Sequence, residues 1–365
     1  MERYQVKSQI NLIMTIKESR SIVYLCFTLC INLIYSQKQI DEFQHTFEKI
    51  DNMLVNSNEL NFKKAVFEVE NISSDNQLKE DVFNNTVQLY TSICRGIIAS
   101  GNIEYPENDK EKATAQCAVF EFMTDSIPLK TGDGVIMHFP FQYNFDDFAG
   151  QKDWSNMFVS TLMQTKKGNC HSLPYLYKMI MDELGQPAYL SLAPNHIYIK
   201  AQNKRVGWYN IELTCGDFPT DAWLMASGYI HTDALRNGIY MDTLSTKQSV
   251  CLCLVDLAQG YQSKFGIQDG SFILKCCETA LTYFPKYINA MLSKAETLTA
   301  LYKQSEKDSE PGKKLFAQMN EMYKHIYELG YRKMPQGMYL NWLKSSGTQT
   351  TNYRMKSLLR TKASM

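Results

Sequence analysis

Residues 188–216, AYLSLAPNHIYIKAQNKRVGWYNIELTCG, restrict this chain more than any other stretch. Ile197 and Ile199 alternate with His196, Tyr198 and Lys200, and Tyr209 and Ile211 alternate with Trp208, Asn210 and Glu212. A period of two marks strands, because successive side chains point to opposite faces. Gln202 to Arg205, with Gly207, supply the turn of a hairpin. Setting Lys200 opposite Trp208 puts Tyr198 opposite Asn210 and His196 opposite Glu212. Opposed residues bring their Cβ atoms to about 4.5–5.5 Å, so an imidazole and a carboxylate would share one face. The parity is not adjustable, since a slip of one residue would separate them. Trp208 and Tyr209 read as packing residues.

Just upstream lies GNCHSLPYLYKMIMDELGQPAYL, residues 168–190. Leu173, Leu176, Tyr177, Ile180 and Leu184 recur at helical spacing, and Gly185 is a glycine stop. Cys170 falls at the N-terminus of that helix, where unpaired N–H groups and the macrodipole favour an anion and make a thiolate accessible. Asn169 is explained by capping alone; a cysteine beside it is not. A nucleophilic thiol needs a base, and the base needs a group to orient it. His196 and Glu212 are of the right types. His171, His196 and Cys215 offer a metal-binding alternative, but they lack the regular ligand spacing of a helix-borne site.

The remaining sequence divides by character. Residues 1–36 contain Lys17 and Arg20, then a short apolar run from Ile22 to Tyr35, and read as an export signal or N-terminal anchor. The run is shorter than the roughly 20 residues of a spanning helix. Residues 37–125 show helical periodicity, as at Phe43, Phe47, Ile50 and Leu54, and Ser126–Trp154 reads as loop with short strand. Residues 126–245 form the chemistry-bearing core. Residues 246–344 read as amphipathic helices in which Ala280, Phe284-Pro285, Ala290 and Ala295 fall where a tetratricopeptide-type pair places small residues and a closing proline. A further pair is suggested up to Pro335, and a basic tail occupies residues 345–365. Asp221 is expected to cap a helix.

Lys plus Arg and Asp plus Glu balance at 38 each, so the chain lacks the basic footprint of a nucleic-acid-binding protein. Its 10 cysteines do not form the pattern of a small disulfide-rich fold. Cys251, Cys253, Cys276 and Cys277 lie in apolar helical sequence as small hydrophobes, and a zinc site built from them lacks flanking turns.

Gly168-Asn169-Cys170 opening a helix, Gly185-x-Pro187-Ala188, His196 on a strand and Gly207-Trp208-x-x-x-Glu212-x-Thr214 together resemble the transglutaminase-like superfamily of papain-type proteins, in its compact bacterial branch. The resemblance covers Trp154 to Trp223, under a fifth of the chain. It implies an α+β fold with the cysteine-bearing helix packed on an antiparallel sheet. It also implies acyl transfer or hydrolysis of a peptide or amide, without a cofactor, with Cys170 as nucleophile, His196 as base and then acid, and Glu212 as orienting carboxylate. The family usually has aspartate at that last position. Asn210 is an alternative orienter, and Gln164 and Asn169 are candidate oxyanion donors beside the Cys170 N–H. The expected partners are a peptide or protein substrate and, at the C-terminal helices, a protein. The alternative function is an inactive relative that binds a partner through those helices.

Overall fold

The computed structural model describes residues 37–338 apart from Asp133 and Gln336, together with Asn341. The expected signal at residues 1–36 and the basic tail from residue 345 lie outside the described residues. The fold is α+β, with small sheets set among helices. Four helices come first: α1 (37–55), α2 (Phe62–Ser73), α3 (Glu80–Ala99) and α4 (Lys110–Thr124). The segment expected as loop with short strand contains a hairpin, β1 (Ile127–Thr131) and β2 (Gly134–His138), and a short strand, β3 (Gln142–Tyr143). Then come α5 (Val159–Thr165), β4 (Lys167–Gly168), which pairs in parallel with β3, and α6 (Ser172–Glu183).

An antiparallel sheet of order β5-β6-β7 follows, from β5 (Tyr189–Ala193), β6 (His196–Asn203) and β7 (Gly207–Ile211). Two short helices, α7 (Asp221–Ser227) and α8 (Thr232–Arg236), lead to α9 (Thr246–Phe265), α10 (Ser271–Tyr283), α11 (Ile288–Gln304) and α12 (Glu310–Glu328). Thr220, not Asp221, caps α7, accepting from Trp223 N at 3.2 Å. Asp221 instead bonds Asn210 and Lys200. Helices α9 to α12 pack each on the next, with Ala280, Ala290 and Ala295 fully buried. The four cysteines of α9 and α10 are fully buried too, and none is in a disulfide. No helix among the described residues is long and apolar enough to cross a membrane.

Helix α6 is not the one-sided helix its leucine stripe suggests, because Ser172 through Met181 are all buried. It packs on β5 and β6, while α3, α4 and α5 cover its other sides. Even Lys178 is buried, its Nζ bonded to Asp182 at 3.0 Å and to the Ala188 carbonyl at 3.4 Å. Gly185 (φ 68°) ends the helix in a Schellman turn, with Gln186 N donating to Met181 O at 3.0 Å. A helix held on all sides is a rigid mount for whatever its first turn carries.

Candidate active site

The first turn of α6 is built by Asn169. Its Oδ1 accepts from His171 N and Ser172 N, both at 3.0 Å, and from Ser172 Oγ at 3.2 Å. This satisfies N–H groups that a helix start leaves orphaned. Its Nδ2 donates to the carbonyls of Phe148 (2.9 Å) and Asn156 (3.4 Å). The loop that presents those carbonyls is tied by Asp147, which accepts from the backbone N–H groups of Gln151, Lys152 and Asp153 and from Asn156 Nδ2. Asn169 is thus fully engaged as a scaffold and is not free to donate to an oxyanion, as the sequence reading allowed.

Gln164 also leaves the site. On α5, Val159, Ser160 and Leu162 face inward, so Gln164 points outward and is exposed, lining a groove with Val82 and Thr86 of α3. The left-handed Lys166 (φ 60°) then turns the chain into β4. Gly168 admits no side chain, for a Cβ there would sit 2.7 Å from both Leu162 Cδ1 and Ser172 Oγ. Gly168→Ala is expected to push Ser172 off Asn169 and destabilise the fold by about 1–3 kcal/mol, read as a lower urea midpoint. An unchanged midpoint would show that the turn can relax around a methyl group.

His196 opens β6 directly after a two-residue turn, Pro194-Asn195, which pairs Ala193 with His196. Asn195 is left-handed (φ 56°), as the third position of a type II turn requires. The turn carries the Asn195 carbonyl to 3.8 Å from Cys170 Sγ. His196 Nε2 bonds Glu212 Oε2 at 2.5 Å. With Nε2 so engaged, Nδ1 is the nitrogen left for the Cys170 side chain, which interacts with this imidazole. Cys170, His196 and Glu212 are 8%, 3% and 2% exposed. Tyr198, next on the same face, lays its ring nearly parallel to the imidazole, with centroids 6.4 Å apart.

The hairpin register differs from the expected one. Lys200 pairs with Asn210 and Gln202 with Trp208, so the strands are offset by two residues from the sequence-based pairing. The cause is the turn. Asn203 Oδ1 accepts from Arg205 N and Val206 N, closing a loop of Lys204, Arg205 and Val206 onto left-handed Gly207 (φ 80°). Tyr105, Glu107 and Asp109 grip this tip. An offset of two preserves parity, so His196 and Glu212 keep one face but meet diagonally. Glu212 lies just past the end of β7, in a bridge with Asp217. Diagonal neighbours are about 7–8 Å apart, a span that suits a carboxylate on the longer glutamate arm. The same offset removes Asn210 from His196. Its Nδ2 donates to the Pro219 carbonyl (3.0 Å) and to Asp221 (2.8 Å), so Asn210 is not the orienter. Tyr209 is buried as expected, but Trp208 is half-exposed beside Tyr189.

Glu212 is saturated: Oε1 accepts from Thr214 N (3.0 Å) and Thr214 Oγ1 (2.7 Å) while Oε2 holds His196. Burial alone would raise its carboxyl; the charge of His196 and these bonds outweigh burial and hold it below its usual value. Burial likewise opposes charge on His196, but the charge of Glu212 and the bonds from Cys170 and Glu212 raise the imidazole to about 10. Thr214, part of the sequence pattern after Glu212, is thus a supporting residue of the site.

A second imidazole stands beside the thiol. His171 turns to Asp256 of α9 and does not converge on His196 and Cys215. Among the described residues no three His, Cys, Asp or Glu side chains gather as a metal site. Asp256 lies far along the chain, and no local motif points to it. Burial opposes charge on His171, yet Asp256 raises it to about 9. Burial lifts Glu70 to about 7, against bonds from Ser160 and Val159. All three raised groups have folded values above their unfolded ones. Each stabilises most below its unfolded value and loses that contribution as pH rises through the folded one. The melting temperature is therefore expected to fall between about pH 4.5 and 7 through Glu70 and between about pH 6.5 and 10 through the two imidazoles, measured by scanning calorimetry. A flat profile over these windows would contradict the buried charges.

The geometry is that of a thiol at the start of a rigid helix, a buried imidazole and a saturated carboxylate, aligned in that order. Comparison with protein-family models, with curated proteins and with solved structures finds no match to this chain.

Proposed function

We propose that this protein performs cysteine-dependent acyl transfer or hydrolysis on a peptide or amide carbonyl through Cys170, His196 and Glu212. The observation that carries the reading is the buried bond of His196 Nε2 to Glu212, on an imidazole that also interacts with a thiol at a helix N-terminus. The order of these residues resembles that of the transglutaminase-like superfamily, and the reading agrees with it.

The chemistry balances within the site. His196 takes the Cys170 proton, and the thiolate attacks the carbonyl carbon, forming a C–S bond and an oxyanion. Collapse expels the amine, which takes the proton from His196, and leaves a thioester. Water or a second amine then attacks; His196 accepts its proton and returns it to the departing sulfur, releasing an acid or a new amide. Glu212 holds the ring in the tautomer this traffic needs and offsets its positive charge, as the third member of such triads does.

The test uses the purified protein with an activated acyl probe, p-nitrophenyl acetate, and intact-mass detection of the adduct. Mass gain confined to the Cys170 peptide, chased off by water or by added glycine ethyl ester, supports the reading, and the chase product separates hydrolysis from transfer. Labelling that persists in Cys170→Ala, or a Cys170 that reacts no faster than a free thiol, overturns it.

A further inference from the structure

His171 follows the proposed nucleophile directly and takes no part in the proton traffic above. Its ring is nevertheless held at both nitrogens. Nδ1 lies 3.0 Å from the Met157 carbonyl and Nε2 lies 3.0 Å from Asp256 Oδ1. A carbonyl only accepts, so Nδ1 carries a proton; a carboxylate only accepts, so Nε2 carries one too. A neutral imidazole has a single N–H and cannot satisfy both bonds. With a carbonyl at Nδ1 and a carboxylate at Nε2, the ring makes both bonds as an imidazolium.

The surroundings keep it so. Asp256 Oδ2 accepts from Tyr175 Oη at 3.0 Å, which orients the carboxylate, and the Tyr175 ring lies against His171 with centroids 4.1 Å apart. From α2, Glu70 shares the chamber but spends both oxygens on Val159 N (2.6 Å) and Ser160 N (2.9 Å), the start of α5. From α9, Cys253 adjoins Asp256. The void among these groups is about 10 Å³, room for no more than a single water, and the His171 and Asp256 side chains are 13% and 16% exposed. Cys170 is itself among the groups whose negative charge favours the protonated ring.

We propose that His171 is a positioning residue: locked as an imidazolium between Met157 and Asp256, it supplies the Cys170 thiolate with a fixed positive charge that does not depend on the proton carried by His196. The inference rests on the reading of Cys170 as nucleophile. In a site with one cation, losing the His196 proton removes the thiolate's counter-charge. With a second cation that keeps its proton through the cycle, the departing sulfur is stabilised as negative charge forms on it, before His196 returns the proton. The arrangement also ties the nucleophile to α9, because Asp256 is the outer half of the pair.

The experiment follows the pH dependence of iodoacetamide alkylation at Cys170, resolved by peptide mass spectrometry, in the full chain and in Asp256→Asn, His171→Gln and Asp256→Glu. Cys215, only partly buried, serves as the reagent control, and fully buried Cys276 and Cys277 report any unfolding. Asp256→Asn and His171→Gln are expected to shift the Cys170 profile upward, slowing labelling at pH 6 by roughly tenfold, while Asp256→Glu keeps the carboxylate and stays near the parent. Nitrogen-15 spectra of the parent's ring nitrogens read the same claim without any variant: both nitrogens of His171 should be protonated at pH 7. A neutral His171 tautomer at pH 7, or a depressed Cys170 profile that neither substitution moves, overturns this inference alone. A parent profile like that of a free thiol, with His171 doubly protonated, overturns the nucleophile reading and this inference together.

Discussion

His196→Ala is expected to abolish almost all Cys170-dependent turnover, by about 10⁴–10⁶-fold in the rate of acyl-probe hydrolysis, since members of such a unit fail together. The loss arises in two ways. The thiol loses the group that takes its proton, and the departing amine loses the group that returns it. The substitution also leaves Glu212 buried with only the Thr214 bonds. Truncating one partner of a buried ion pair costs about 3–5 kcal/mol, so part of the population will be unfolded and rates have to be normalised to the folded fraction. A loss of less than about tenfold after that correction would exclude His196 as the base.

Glu212 carries the second large effect, and two substitutions separate its roles. Glu212→Gln keeps the length and removes the charge, so the ring loses the counter-charge that raises it. Turnover is expected to fall by about 10³–10⁴-fold, as when the carboxylate of a related triad is made neutral. The onset of Cys170 alkylation should move to higher pH at the same time. Glu212→Asp keeps the charge and removes one methylene. Across a diagonal of the ladder that shortfall is on the order of 1 Å, and a loss of roughly 10²-fold is expected. Fully retained activity in the aspartate variant would mean that the diagonal offset has no bearing on the choice of glutamate. Because Glu212 is held below its usual value, the pair also contributes stability that is present above about pH 4.5 and lost only as pH falls through the lowered value.

Much of the arrangement was legible because strands impose a strict period. Alternation in residues 196–200 and 208–212 put His196 and Glu212 on one face, and an offset of two left that intact. The register was not legible. It was set by Asn203 closing the turn on itself and by Tyr105, Glu107 and Asp109 holding the tip, which lie about a hundred residues earlier. Asn210 was misassigned for the same reason, since a two-residue offset places it opposite Lys200. Gln164 was misassigned because seven residues of helix show too little periodicity to reveal an outward face. The Pro194-Asn195 turn, which delivers His196 to the thiol, carried a readable signal: proline fixes the first central position and asparagine tolerates the left-handed second.

The sequence by itself determined the residue types at three positions, the helix that follows Cys170, and the shared face of His196 and Glu212. These are local properties, written in residue type and in periods of two and 3.6. Tertiary structure alone decided which group each side chain meets. It turned Asn169 inward as a scaffold, carried Asp256 from α9 to the ring of His171, and buried α6 on every side. Such contacts join residues far apart in the chain, and their energy depends on burial and distance, which no local pattern encodes. Cys170, His171 and His196 act on one another because the fold gathers them and holds them largely out of water.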